Sequence, residues 1–284
     1  MSDLKPLKVI FMGTPEFAVP SLQALHDSRH QVVAVVTQPD RPRGRGRKLT
    51  PPPVKELALE SGLKVLQPTA IKTEEFLAEL EGFSPDIIAV TAYGRILPGP
   101  LLNMPPLGTI NVHGSLLPRY RGAAPIQWAI INGESEAGVS IMQMDEGLDT
   151  GDVILTGSTP VEDDDTTATL AARLAPLGGR LLVETLDKIQ SGEAIKKPQD
   201  NSLATLAPPL TKEQGQIDWF EPGLAISCRI RGLDPWPTAY TFMNGKRLRL
   251  FKPEIVSHPD TMEPGTICKA DKNGIGQHRF HHTM

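Results

Sequence analysis

A chain of 284 residues with 39% hydrophobic content fits one large or two ordinary domains and is too apolar to be disordered as a whole. A net charge of −4 argues, by itself, against a nucleic-acid partner. Two cysteines, Cys228 and Cys268, with no CxxC or Cys/His spacing, leave no zinc site and no disulfide framework beyond one bridge.

The N-terminus lacks the apolar stretch of a signal peptide, and no apolar run of about 18 residues could span a bilayer. A cytoplasmic protein without a membrane partner is the expectation. The charge average hides one segment: Arg41, Arg43, Arg45, Arg47 and Lys48 lie close together with no acid among them.

Apolar runs at 8–12, 32–37, 64–66, 87–92 and 109–113 predict buried strands. Helical periodicity at 17–28, 54–61 and 74–80 predicts helices between them. The Pro/Gly/Arg-rich stretch 39–53 reads as a loop. Further on, 123–132 reads as a helix and 138–144 and 153–160 as strands around the loop DEGLDTGD. Residues 166–190 read as a helix, capped by Asp165 or Thr166, that Pro176 and Gly178-Gly179 should kink or split.

Alternation of apolar strands with helices gives an α/β class: a Rossmann-like, mostly parallel sheet with helices on both faces. Residues 191–208 have weak periodicity and read as a linker between a first domain, 1–190, and a second, 209–284. In the second, short strands are expected at 217–219, 238–243, 247–251 and 265–268, with Asn244-Gly245 as a hairpin turn and a helix over 224–231. A small barrel follows from that pattern.

Ligands of such sheets bind beyond the carboxyl ends of the strands. Three segments fall there: 13–16, 92–95 and 113–115. Asn111 and His113 are two apart on one strand and share a face. From spacing alone, a strand-end cap and a satisfied core histidine are an equally good account of them. Asp149 lies among Gly147, Thr150 and Gly151, a composition that lets backbone approach a ligand closely. A carboxylate beside an imidazole orients it and favours its charged form. Amide, imidazole and carboxylate together suit acyl transfer to an amine. The apolar run 115–118 either packs the core or walls a flat ligand's pocket. The basic segment lacks a Walker ending, which argues against an NTP site; it is either a solvated loop or an attachment for a polyanion, and five cations in eight residues of a net-negative chain favour the second.

The chain resembles the methionyl-tRNA formyltransferases, within the folate-dependent formyltransferase group. The matching stretches are GTPEFA (13–18), TQPDRPRGRGRK (37–48), AYGRILP (92–98), INVHGSLLPRYRGAAPIQ (110–127), MQMDEGLDTGD (142–152), IDW (217–219) and CRIRGLDPWP (228–237). The resemblance implies formyl transfer from 10-formyltetrahydrofolate to the amino group of initiator methionyl-tRNA by a monomer without metal.

It implies Asn111, His113 and Asp149 as catalytic residues. It also implies folate contacts from Ser115, Leu116, Leu117 and Pro118 and from Tyr93, Gly94, Arg95, Ile96 and Leu97. Arg41, Arg43, Arg45, Arg47 and Lys48 are implied as tRNA contacts, and residues 209–284 as an OB-like tRNA-binding barrel. Residues 277–284 depart from the family pattern, so that barrel is expected to be incomplete. The alternatives are a formyltransferase for a sugar-nucleotide or purine-precursor amine, and a non-catalytic RNA-binding protein with the same fold.

Overall fold

The computed structural model describes residues 5–43, 48–256, 263–271 and 274–277. The strands are β1 (Lys8–Gly13), β2 (Gln31–Val36), β3 (Arg41–Arg43), β4 (Lys48–Thr50), β5 (Val65–Leu66), β6 (Ile87–Thr91), β7 (Thr109–His113), β8 (Glu136–Gln143), β9 (Val153–Pro160), β10 (Tyr240–Met243), β11 (Lys246–Arg249), β12 (Ile267–Asp271) and β13 (Gly274–Gln277). The helices are α1 (Val19–His26), α2 (Pro53–Glu60), α3 (Glu74–Glu81), α4 (Gly99–Leu102), α5 (Pro125–Ile131), α6 (Thr167–Ser191) and α7 (Gly223–Gly232).

Seven strands form one sheet in the order β5-β2-β1-β6-β7-β8-β9. The pairings from β5 through β7 are parallel, and β8 runs antiparallel to β7. The central strands β1, β6 and β7 are almost wholly buried, as parallel strands covered on both faces must be. One face carries a core of Ile10, Met12, Val36, Ile88, Phe76, Leu80 and Leu101. The mostly parallel Rossmann-like sheet anticipated above is therefore present.

Contacts divide the chain into two compact units. The first comprises Met1–Arg121, Gly138–Thr159 and Ala171–Leu206; the second comprises Gly122–Ala137, Pro160–Leu170 and Ala207–Met284. In the second unit α5 packs on α7 around Ile226, Ile230 and Leu233. Its strands form two separate pairs, β10-β11 and β12-β13, so no closed barrel appears among the described residues. Asn244 and Gly245 both take positive φ, 50° and 74°, as a two-residue hairpin turn requires. Residues 278–284, most of the tail that departs from the family pattern, lie outside the described residues.

Four local expectations are corrected. Residues 41–50 are not all loop: β3 and β4 pair antiparallel, Arg41 opposite Thr50. Residues 217–219 are not a strand, although the Ile217 amide donates to the Tyr240 carbonyl at 2.9 Å. Helix α1 starts only at Val19, after a 3-10 turn over Glu16–Ala18. Helix α6 runs unbroken through Pro176.

Gly178 and Gly179 serve close packing in α6 instead of breaking it. A Cβ on Gly178 would lie 2.8 Å from Val112 on β7, and one on Gly179 would lie 2.7 Å from the Pro20 carbonyl on α1. Thr166 caps α6, accepting from the Thr169 amide at 3.3 Å.

His30 is buried between the Leu7 amide, which donates to Nδ1 at 3.3 Å, and Asp187, 3.3 Å from Nε2. Burial pushes its pKa down, and Asp187 only partly opposes that. The fold thus holds His30 neutral. The unfolded chain binds its proton from about pH 6.5 downward, so full stability is present above that pH and falls as acid is added. Urea unfolding at pH 7.5 and pH 5.5 should show a smaller acid loss in His30→Gln than in the wild type. Equal losses would contradict this.

Candidate active site

β7 places the first two candidate groups. Thr109, Asn111 and His113 share one face, while Val112 on the other face meets α6. Asn111 is half-buried and His113 is buried. After His113 the chain folds back on itself. The Ser115 hydroxyl donates to the Arg119 carbonyl at 2.6 Å, the Ser140 hydroxyl on β8 donates to the Ser115 carbonyl at 2.7 Å, and the Leu117 amide donates to that Ser140 hydroxyl at 3.0 Å. Tyr120, at φ 61°, thereby turns its carbonyl onto His113 Nε2 at 2.9 Å. A carbonyl only accepts, so Nε2 keeps its proton and the ring presents Nδ1 to the site.

Asp149 stands opposite. Its Oδ2 lies 3.7 Å from His113 Nδ1, with both side chains largely buried. The spacing is too long for a hydrogen bond and close enough for an ionic contact. The loop that carries it is organised by Asp145, which accepts from the Gly147 amide at 3.0 Å and the Thr150 hydroxyl at 2.7 Å. A Cβ on Gly151 would overlap the Gln143 carbonyl, so the loop needs glycine there. Asp149 itself sits at φ 52°, a conformation Asp tolerates better than most residues.

Gln199 holds that strained backbone. Its Nε2 donates to the Asp149 carbonyl at 2.9 Å and to the Gly151 carbonyl at 2.7 Å. Its Oε1 in turn accepts from Arg121 Nε at 3.1 Å and Nη2 at 2.9 Å, and Arg121 also reaches Asn201 at 2.8 Å. The stretch read as a linker is thus a wall of the first unit. Nothing in its sequence marks Gln199, a polar residue after a proline in an aperiodic run.

The other site candidates divide by exposure. Tyr93 and Leu97 are core residues, and the Tyr93 carbonyl accepts from Thr14 at 3.0 Å and Gln38 at 3.2 Å. Gly94 is exposed at φ 83°, and Arg95 donates to the Thr69 carbonyl at 2.9 Å. Leu117 is buried, Leu116 packs over Gly138, and Pro118 is half-buried.

Two large apolar side chains remain open beside the site: Ile96, 86% exposed, and Leu148, 59% exposed. Their loops adjoin, since a Cβ on Gly99 would lie 2.5 Å from Glu146 Oε1. Such a pair fits the face of a flat, partly apolar ligand. Arg41, Arg43 and Lys48 fall on the β3-β4 hairpin, while Arg45 and Arg47 lie outside the described residues. Among the described residues no three His, Cys, Asp or Glu side chains gather as metal ligands, and no helix is long and apolar enough to cross a membrane.

Comparison with known proteins gives this arrangement a family. The formyl transferase family model matches residues 7–186, and its C-terminal domain model matches residues 209–276. The chain belongs to the formyl transferase family. Among curated relatives, the methionyl-tRNA formyltransferase of Desulfotalea psychrophila is 54% identical over 96% of this chain and 85% of its own length. That of Caldanaerobacter subterraneus subsp. tengcongensis is 54% identical over 93% and 86%.

Solved structures share the formyl transferase fold at lower identity. HypX of Aquifex aeolicus matches with a TM-score of 0.67 at 19% identity, covering 95% of this chain and 42% of that one. The N-formyltransferase of Helicobacter canadensis, in complex with folinic acid and dTDP-3-aminofucose, matches with a TM-score of 0.63 at 20% identity, covering 84% and 85%.

Proposed function

We propose that the protein transfers a formyl group from 10-formyltetrahydrofolate to the α-amino group of methionine carried on initiator tRNA. The observation that carries this is His113, fixed by Tyr120 so that Nδ1 faces Asp149 at 3.7 Å, with Asn111 on the same strand face. The methionyl-tRNA formyltransferase relatives support the choice of acceptor.

The folate donor supplies a formyl carbon activated toward an amine. Ile96 and Leu148 would lie against its flat ring system, with Gly94 letting backbone approach and the Ser115–Pro118 turn behind them. The Asn111 carboxamide and Nδ1–H of the charged His113 ring donate to the formyl oxygen as negative charge develops there. Nε2–H stays on the Tyr120 carbonyl, so the ring cannot rotate away. Asp149 faces the ring and, directly or through one water, takes the proton that the attacking amine loses and delivers it to folate N10 as the formyl C–N10 bond breaks and tetrahydrofolate leaves.

Arg41, Arg43, Arg45, Arg47 and Lys48 engage phosphates of the acceptor stem, and residues 209–284 form a second tRNA-binding domain joined to the catalytic domain 1–190 through 191–208. The protein works as a cytoplasmic monomer without a metal. Purified protein given 10-formyltetrahydrofolate and charged initiator methionyl-tRNA should yield formylmethionine on the tRNA. A sugar-nucleotide amine offered in parallel should stay unmodified. Formylation of the sugar amine with none on the tRNA would overturn the reading.

A further inference from the structure

Residues 197–206 form a strap along the first unit. It opens on Lys197, whose amide and carbonyl both pair with Val153 on β9 at 2.9 Å, and closes on Leu206, bridged in parallel to Arg121. Between them Asp200 accepts from the Ser202 amide at 2.9 Å and starts a 3-10 turn over Asn201–Leu203. That turn sets the spacing of two side chains, Gln199 before it and Thr205 after it. Gln199 holds the Asp149 backbone.

Thr205 meets the other half of the pair. Its Oγ1 accepts from the Tyr120 amide at 2.8 Å, and its carbonyl accepts from the Arg121 amide at 2.9 Å. Its own amide donates to the Pro118 carbonyl at 3.4 Å. A trans peptide unit is planar, with its C=O and N–H pointing opposite ways. The plane between Tyr120 and Arg121 is therefore gripped by Thr205 at one end and presents its carbonyl to His113 Nε2 at the other, at 2.9 Å. The plane ahead of Tyr120 is gripped by the Thr205 hydroxyl. Together the two planes fix both dihedrals of Tyr120, whose φ of 61° a bulky side chain adopts only where its surroundings impose it.

We propose that Thr205 is a positioning residue for the transfer: through the two peptide planes of Tyr120 it sets the His113 ring, as Gln199 at the other end of the same strap sets Asp149. The inference rests on His113 being the oxyanion donor of the proposed reaction. Loss of the Thr205 hydroxyl leaves the Tyr120 amide without that acceptor. The turn then relaxes from positive φ, the carbonyl leaves Nε2, and the ring is free to exchange tautomers and tilt.

Thr205→Val keeps the branched shape and removes the acceptor; Thr205→Ser keeps the acceptor. Residue 205 is exposed and its backbone bonds survive either change, so both variants should fold. In the full chain, Thr205→Val should lower kcat for formyl transfer about tenfold with KM for methionyl-tRNA unchanged, and Thr205→Ser should restore it. Nitrogen NMR of ring-labelled histidine, at about pH 8.5 and without substrate, should show the His113 ring of the wild type as the single Nε2–H tautomer. Thr205→Val should show both tautomers, and Thr205→Ser one. Native kcat in Thr205→Val, a kcat loss with an unchanged ring signal, or failure of serine to rescue would each overturn the assignment. A wild-type protein that formylates no methionyl-tRNA would fail the proposed reaction instead, a result the substrate-free ring signal keeps distinct.

Discussion

Replacing His113 by alanine is expected to lower kcat for formyl transfer by about 10²–10³, the usual cost of losing one oxyanion donor. The ring is a good candidate for so large an effect because both its nitrogens are committed. Nε2 is held by the Tyr120 carbonyl at 2.9 Å, which leaves Nδ1 aimed at Asp149 at 3.7 Å. His113→Gln separates the two roles. Its amide nitrogen can replace Nε2 against Tyr120 and keep the turn, but offers nothing where Nδ1 stood. Single-turnover rates for both variants should fall alike while their unfolding midpoints differ. A glutamine variant with near-native turnover would remove the imidazole from the chemistry.

Gln199→Leu is expected to lower kcat by about 10²-fold without touching a reacting atom, because a small displacement of a catalytic group is enough. Gln199 joins three things: the carbonyl of Asp149 at φ 52°, the carbonyl of Gly151, and buried Arg121. Leucine breaks both carbonyl bonds and leaves Arg121 with Asn201, which should also cost about 1–3 kcal/mol of stability. A merely structural role would lower the melting point and spare the turnover of the folded fraction. The account predicts instead a kcat loss at a temperature where the variant is fully folded, with KM for methionyl-tRNA little changed. Gln199→Glu, which keeps an acceptor for Arg121 but loses the amide donor, should show the same kcat loss. Native turnover in either variant would release Gln199 from this role.

The sheet was legible because buried parallel strands must be apolar along their length, and the runs at 8–12, 87–92 and 109–113 say so directly. Asn111 and His113 were legible from the strand period of two, and Asp149 from the glycines that let its loop fold tightly.

What stayed hidden depended on tertiary partners. The β3-β4 pair is Arg-Pro-Arg against Lys-Leu-Thr, and with only Thr50 favouring a strand it leaves no clear pattern, so only the ladder itself reveals it. Gly178 and Gly179 look like helix breakers until Val112 and Pro20 are seen pressed against them. The 3-10 turn over Glu16–Ala18 and the single-turn helix α4 are too short to leave a period. Gln199 has meaning only beside Asp149 and Arg121, about 50 and 78 residues away along the chain.

The central claim, that His113 and Asp149 act as one unit, is tested most directly by a double-mutant cycle on the formyl-transfer rate with His113→Ala, Asp149→Asn and the pair. Because Asp149 both faces the ring and takes the amine's proton, the pair should be slower than His113→Ala but lose clearly less than the product of the two single losses. Losses that multiply, with each residue costing as much in the absence of the other as in its presence, would contradict the shared site.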